Sequence, residues 1–174
     1  MVGMRSLRWC AALVTMLAGT GRMVAAQSTP RSFGCPDPVN HQFDFWVGDW
    51  NVTSRGAQAG TNLVTAEEGG CVVHEHWTGA RGGTGQSFNF YDTALGKWHQ
   101  LWVDNQGTFL YLTGAFADDR MVLEGTAPGP DGTPQQQRLT FFRNSDGTVR
   151  QLWETSADRG RSWSVAFDGI YVKK

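Results

Sequence analysis

No run of lysines and arginines occurs anywhere in these 174 residues, and charge is sparse and balanced, 15 basic against 16 acidic side chains. A chain without a basic stripe offers no electrostatic footprint to a phosphate backbone, so no nucleic-acid partner is expected. The apolar stretch from Trp9 to Ala18 falls well short of the roughly twenty residues that cross a bilayer, and Gly19 to Arg22 interrupts it. Cysteine is scarce: three residues, no CxxC pair, and none at a lipobox position after that stretch. Zinc-knuckle chemistry and a lipid anchor therefore lack their ligands and acceptor. A Gly-Lys-[Ser/Thr] phosphate loop and a nucleophile elbow are missing too. Beyond residue 50 no long helical pattern appears.

What the chain does have begins with a leader. Arg5 and Arg8 precede the apolar stretch, and Val24-Ala25-Ala26 supplies the small residues of a cleavage site before Gln27. Residues 1–26 read as a secretory signal peptide, which places the mature chain in the periplasm or outside the cell. Its loss removes three arginines and no acid, so basic residues fall from 15 to 12 against 16 acidic, a net charge of about −4. Cys10 leaves with it. Cys35 and Cys71 remain, and an even pair in an exported chain reads as a disulfide. No membrane insertion of the mature form is expected.

Residues 27–39, with Pro30, Pro36 and Pro38, read as an extended lead-in to a single domain over 40–174. That domain opens on Phe43-Asp44-Phe45-Trp46-Val47-Gly48-Asp49-Trp50. Phe43, Trp46 and Val47 fall at i, i+3, i+4, one face of a short helix with Asn40 as N-cap and Gly48 as stop. From Trp50 the period becomes two, with Trp50 and Val52 on one face. About ten alternating runs follow, near 49–54, 61–67, 71–78, 85–91, 97–104, 108–114, 119–126, 137–144, 147–155 and 162–172. Turn-forming clusters separate them, among them Asn144-Ser145-Asp146-Gly147. The pattern predicts an all-β fold: one antiparallel barrel sealed at one end by the short helix. A β-sandwich is the alternative that periodicity alone leaves open.

Gly48-Asp49-Trp50, after a short helix and opening the first strand, resembles the Gly-x-Trp signature of lipocalins and their calycin relatives. A longer set of strings covers nearly the whole mature chain: 43–50, Gly-Gly-Cys at 69–71, Glu-His-Trp at 75–77, Tyr-Asp at 91–92, Trp-His-Gln-Leu-Trp-Val-Asp at 98–104 and Phe-Asp-Gly-Ile-Tyr at 167–171. In these the chain resembles a family of exported bacterial proteins without an established activity. The resemblance implies a calycin-like barrel and no particular reaction.

Candidate site residues follow from strand parity. Gln100 and Trp102 share one face, as do Gln151 and Trp153 in a repeated Gln-Leu-Trp. Glu75 and Trp77 share another, and Ser87, Asn89 and Tyr91 a third. Faces that mix aromatics with amides and a carboxylate suit the wall of a partly polar cavity holding an unidentified small molecule. The same faces on a solvated sheet would be ordinary cross-strand pairs. No catalytic residue, metal or cofactor is assigned, and catalysis is not the favoured reading. Glu75 is the candidate acid/base if this is an enzyme, and a Glu75–Glu154 pair is conceivable. A third reading uses Trp102 and Trp153 as surface platforms for envelope carbohydrate.

His74 and His76, two apart on a strand, leave one face together and could chelate a metal if a third group converged. Parity sets them opposite Glu75, towards solvent. The string Ser156-Ala157-Asp158-Arg159-Gly160-Arg161-Ser162-Trp163 fits the Asp-box of sialidase propellers, yet a single copy reads as a turn. A Ser87/His99/Asp104 triad fails on parity. The glycine-rich 79–85 joins strand to strand and is expected at a barrel mouth.

Overall fold

A computed structural model describes residues 33–174, so the expected leader and the first part of the lead-in, 27–32, lie outside the described residues. The rest forms a closed antiparallel barrel, which removes the sandwich alternative. Its strands are β1 (Gly48–Ser54), β2 (Ala57–Glu67), β3 (Val72–Gly79), β4 (Thr84–Asp92), β5 (Lys97–Asp104), β6 (Phe109–Ala117), β7 (Arg120–Pro128), β8 (Pro134–Arg143), β9 (Val149–Ser156) and β10 (Ser164–Lys173). Each strand pairs with the next, and β1 closes the ring on β10 with Trp50 opposite Lys173 and Thr53 opposite Ile170. All ten runs expected from the alternation are strands, with their ends moved by a few residues. Closure leaves no edge on which another chain could template.

The aromatic opening is helical, but as two 3-10 turns, Pro38–His41 and Asp44–Trp46. Their bonds run from residue i+3: Asn40 N–H to Asp37 O, Trp46 N–H to Phe43 O, and Val47 N–H to Asp44 O. Asn40 is therefore inside the first turn and buried rather than capping, and Val47 is already extended. With three residues per turn, side chains at i and i+3 eclipse. Phe43 and Trp46 accordingly stack at 5.0 Å with 20° between ring planes. Phe141 meets Phe43 edge-on at 5.0 Å, and Trp98 does so at 5.8 Å. This plug fills one end of the barrel, continuing into a buried core of Trp50, Val52, Val64, Val73, Leu112, Met121, Leu123 and Val149.

The disulfide joins Cys35 to Cys71 across 36 residues, at the plugged end where β2 turns into β3. There Cys35 N–H also donates to Gly69 O at 3.2 Å. The hairpin loops between β1 and β2, β3 and β4, β5 and β6, β7 and β8, and β9 and β10 all lie at the opposite end. The glycine-rich segment is one of these mouth loops, closed by Gly79 N–H on Gly83 O at 2.7 Å. The Asp-box string is another. Ser162 N–H donates to Asp158 Oδ1 at 2.9 Å, Gly160 N–H to Ser156 Oγ at 2.8 Å, and Gly160 has φ +83°. Donation from the Ser162 hydroxyl, the Ser162 N–H and the Ser156 hydroxyl holds the Asp158 carboxyl down at about 2. It is a turn device.

Candidate functional site

Above the plug the barrel interior opens into a cavity of about 220 Å³. Its wall is assembled from residues of six strands, β3, β5, β6, β8, β9 and β10. Trp77 from β3, Trp102 from β5, Trp153 from β9 and Phe167 from β10 supply rings, and Leu110, Leu139 and Ala166 fill between them. Glu75, Gln100, Gln151 and Tyr171 supply the polar atoms. Towards the mouth a wider vestibule of about 840 Å³ shares Trp77, Ala166 and Phe167 with it. For scale, a dry cavity of about 150 Å³ holds benzene, and drug-sized ligands occupy about 300 Å³ or more. The inner chamber suits a molecule of roughly one ring.

Glycines on the neighbouring strand give the rings room to lie flat against the wall. A Cβ on Gly85 would come within 2.3 Å of the Trp102 ring, and one on Gly60 within 2.8 Å of the Trp77 ring. In β10 the ladder slips between Val165 and Phe167, and this bulge brings Ala166 to the cavity alongside Phe167.

Glu75 is buried and belongs to a chain of hydrogen bonds crossing four strands. Asn62 Nδ2 donates to Oε1 at 2.8 Å, and Ser87 Oγ donates to Oε2 at 2.6 Å. Asn89 Nδ2 donates to Ser87 Oγ at 3.0 Å and to Val73 O at 2.9 Å. Gln100 Nε2 donates to Asn89 Oδ1 at 2.8 Å. The chain ends unmatched: Gln100 Oε1 and Asn62 Oδ1 are buried and meet no donor among the described residues. Burial pushes the Glu75 carboxyl up to about 7, outweighing the Ser87 and Asn62 donors that favour its anion. Burial, and then the neighbouring Glu75, also raise the Tyr171 hydroxyl, which donates to Gln151 Oε1. On the far wall Trp153 Nε1 donates to Gln137 Oε1 at 2.8 Å.

Of the nine residues that parity selected, Glu75, Trp77, Gln100, Trp102, Gln151 and Trp153 line the cavity. Ser87 and Asn89 are interior but sit behind it, linking Glu75 to Gln100. Tyr91 lies nearer the plug, its ring edge-on to Trp98 at 6.0 Å, and does not line the chamber. Because Trp102 and Trp153 face inward, they form no outer platform for carbohydrate. Glu154 is paired on the other face with Arg138 at 2.9 Å, so it makes no carboxylate pair with Glu75. The triad is absent: His99 Nδ1 contacts Tyr111 OH at 2.6 Å, on the face opposite Ser87.

Parity missed Asn62 and Tyr171, although Asn62 alternates with buried Val64 and Tyr171 with Phe167. Leu110 and Leu139 carried no polar signal to single them out. No protein-family model and no curated protein matches this chain.

Proposed function

We propose that this is an exported, calycin-like barrel that binds a one-ring small molecule carrying a hydrogen-bond donor. The cavity itself carries the reading: an aromatic-walled chamber whose polar groups come from Glu75, Gln100, Gln151 and Tyr171. A donor-bearing guest can hydrogen-bond the Glu75 carboxyl and an apolar one cannot. The rings of Trp77, Trp102 and Trp153 suit a flat guest. Export is supported by the Cys35–Cys71 disulfide and the leader-like N-terminus. The turn leading into Gly48-Asp49-Trp50 on β1 resembles the calycin opening.

The test is titration with benzylamine, phenol and toluene, read by indole fluorescence and native mass spectrometry. Benzylamine or phenol binds saturably and at least tenfold tighter than toluene, and Glu75→Gln erodes the benzylamine preference. Failure of every probe of this size removes the reading.

A second reading, an enzyme with Glu75 as acid/base, draws on the same carboxyl reaching the cavity while Asn62 and Ser87 hold it. Its tuning to about 7 suits proton transfer near neutral pH. Tyr171 is then the neighbouring hydroxyl on the cavity wall. Turnover unchanged in Glu75→Gln removes this second role without touching the first.

A further inference from the structure

On the outer wall, behind Glu75, three side chains with metal-ligand chemistry converge. His74 and His76 leave β3 on the solvent face, and Glu67 reaches across from the end of β2. One ligand atom from each lies within 4.8 Å of the others. His74 Nδ1 is 3.1 Å from Glu67 Oε1, and the two imidazole rings are 4.0 Å apart. Ligands of a tetrahedral Zn²⁺, each about 2.0–2.1 Å from the metal, stand roughly 3.4 Å from one another. One edge of such a site, His74 to Glu67, is thus already near that length, and the others are no longer than 4.8 Å. The third group that the histidine pair needs is Glu67. His41 instead pairs with Asp44 at 2.8 Å, and His99 with Tyr111.

The surroundings hold these ligands as outer partners do around metals. Thr65 Oγ1 donates to Glu67 Oε1 at 2.7 Å, orienting the carboxylate. His74 Nε2 contacts Gln86 Oε1 at 3.0 Å, which leaves Nδ1 aimed at Glu67. Phe88 stacks on the His74 ring at 4.2 Å and 18°, fixing its plane.

We propose that Glu67, His74 and His76 bind a divalent transition-metal ion of the Zn²⁺ class. Two imidazoles and one carboxylate are borderline donors; Mg²⁺ and Ca²⁺ prefer all-oxygen shells. Glu67 is 41% exposed, so a fourth position is open to water. The site is separate from the cavity, because alternation along β3 sends Glu75 inward and both histidines outward.

The experiment is calorimetric titration of the EDTA-stripped, desalted protein with Zn²⁺ alone, with histidine ring resonances followed by NMR. One ion binds per chain and shifts the His74 and His76 signals. His76→Ala and the near-isosteric Glu67→Gln each weaken binding at least tenfold, while His41→Ala and the response to Mg²⁺ report no effect. Absence of saturable one-to-one binding overturns the site. So does full affinity in both ligand variants, or loss in His41→Ala. Circular dichroism of each variant separates lost ligation from lost fold.

Discussion

Glu75 is a carboxyl that its surroundings hold neutral in a pH range where a glutamate in an unfolded chain is ionised. The shift from 4.5 to about 7 follows from burial, and Ser87, Asn62 and His74 offset only part of it. Between those two values the folded chain binds a proton that the unfolded chain has released. Stability from this group is therefore complete below pH 4.5 and declines as pH rises to about 7, flattening above. Each pKa unit is worth about 1.4 kcal/mol, so the decline is on the order of 3 kcal/mol. The titratable neighbours that act on it are His74, through its charge from the opposite face of β3, and Tyr171 inside the barrel. In EDTA, urea unfolding from pH 4 to pH 8 should show wild type losing about that much relative to Glu75→Gln. Parallel profiles would mean that the carboxyl is solvated.

Elements position the site through pairs of a glycine and a ring on adjacent strands. Trp102 can lie flat only because β4 carries no Cβ at Gly85, and the 2.3 Å approach leaves none of the tolerance an alanine needs. Gly85→Ala should lift the indole into the chamber. Overpacking of this kind costs about 1–3 kcal/mol, and probe binding should fall at least tenfold; unchanged affinity would show that Trp102 is not part of the wall. Period-two alternation was enough to locate every strand and to group Glu75 with Trp77 and each Gln with its Trp on shared faces, while leaving open whether those faces point inward or to solvent. It could not show how far along the barrel each inward residue sits, so Tyr91 and Trp102 looked equivalent although one packs towards the plug and the other at the chamber. Nor could it show the β10 bulge, which offsets parity at Ala166. The Phe43–Trp46 spacing suits an α-helix and a 3-10 turn alike, and the hydrogen-bond pattern decides between them.

At the scale of the whole molecule the two barrel ends do different work. The plugged end gathers the aromatic stack, the disulfide and the C-terminal contact of Lys174 N–H with Asp49 O at 2.9 Å. The mouth end carries the loops and the vestibule. A cross-link spanning 36 residues restricts the unfolded chain, and the loop-entropy account assigns it about 3–4 kcal/mol. Because Cys35–Cys71 lies away from the cavity, its effect on stability should separate from its effect on binding. The Cys35→Ser/Cys71→Ser double variant should lose about 3–4 kcal/mol in urea yet bind the donor-bearing probe within twofold of wild type under native conditions. A matching loss of affinity would mean that the plug positions the chamber wall. The barrel would then act as one packed unit from Phe43 to Trp153, not as a fixed base beneath an independently formed site.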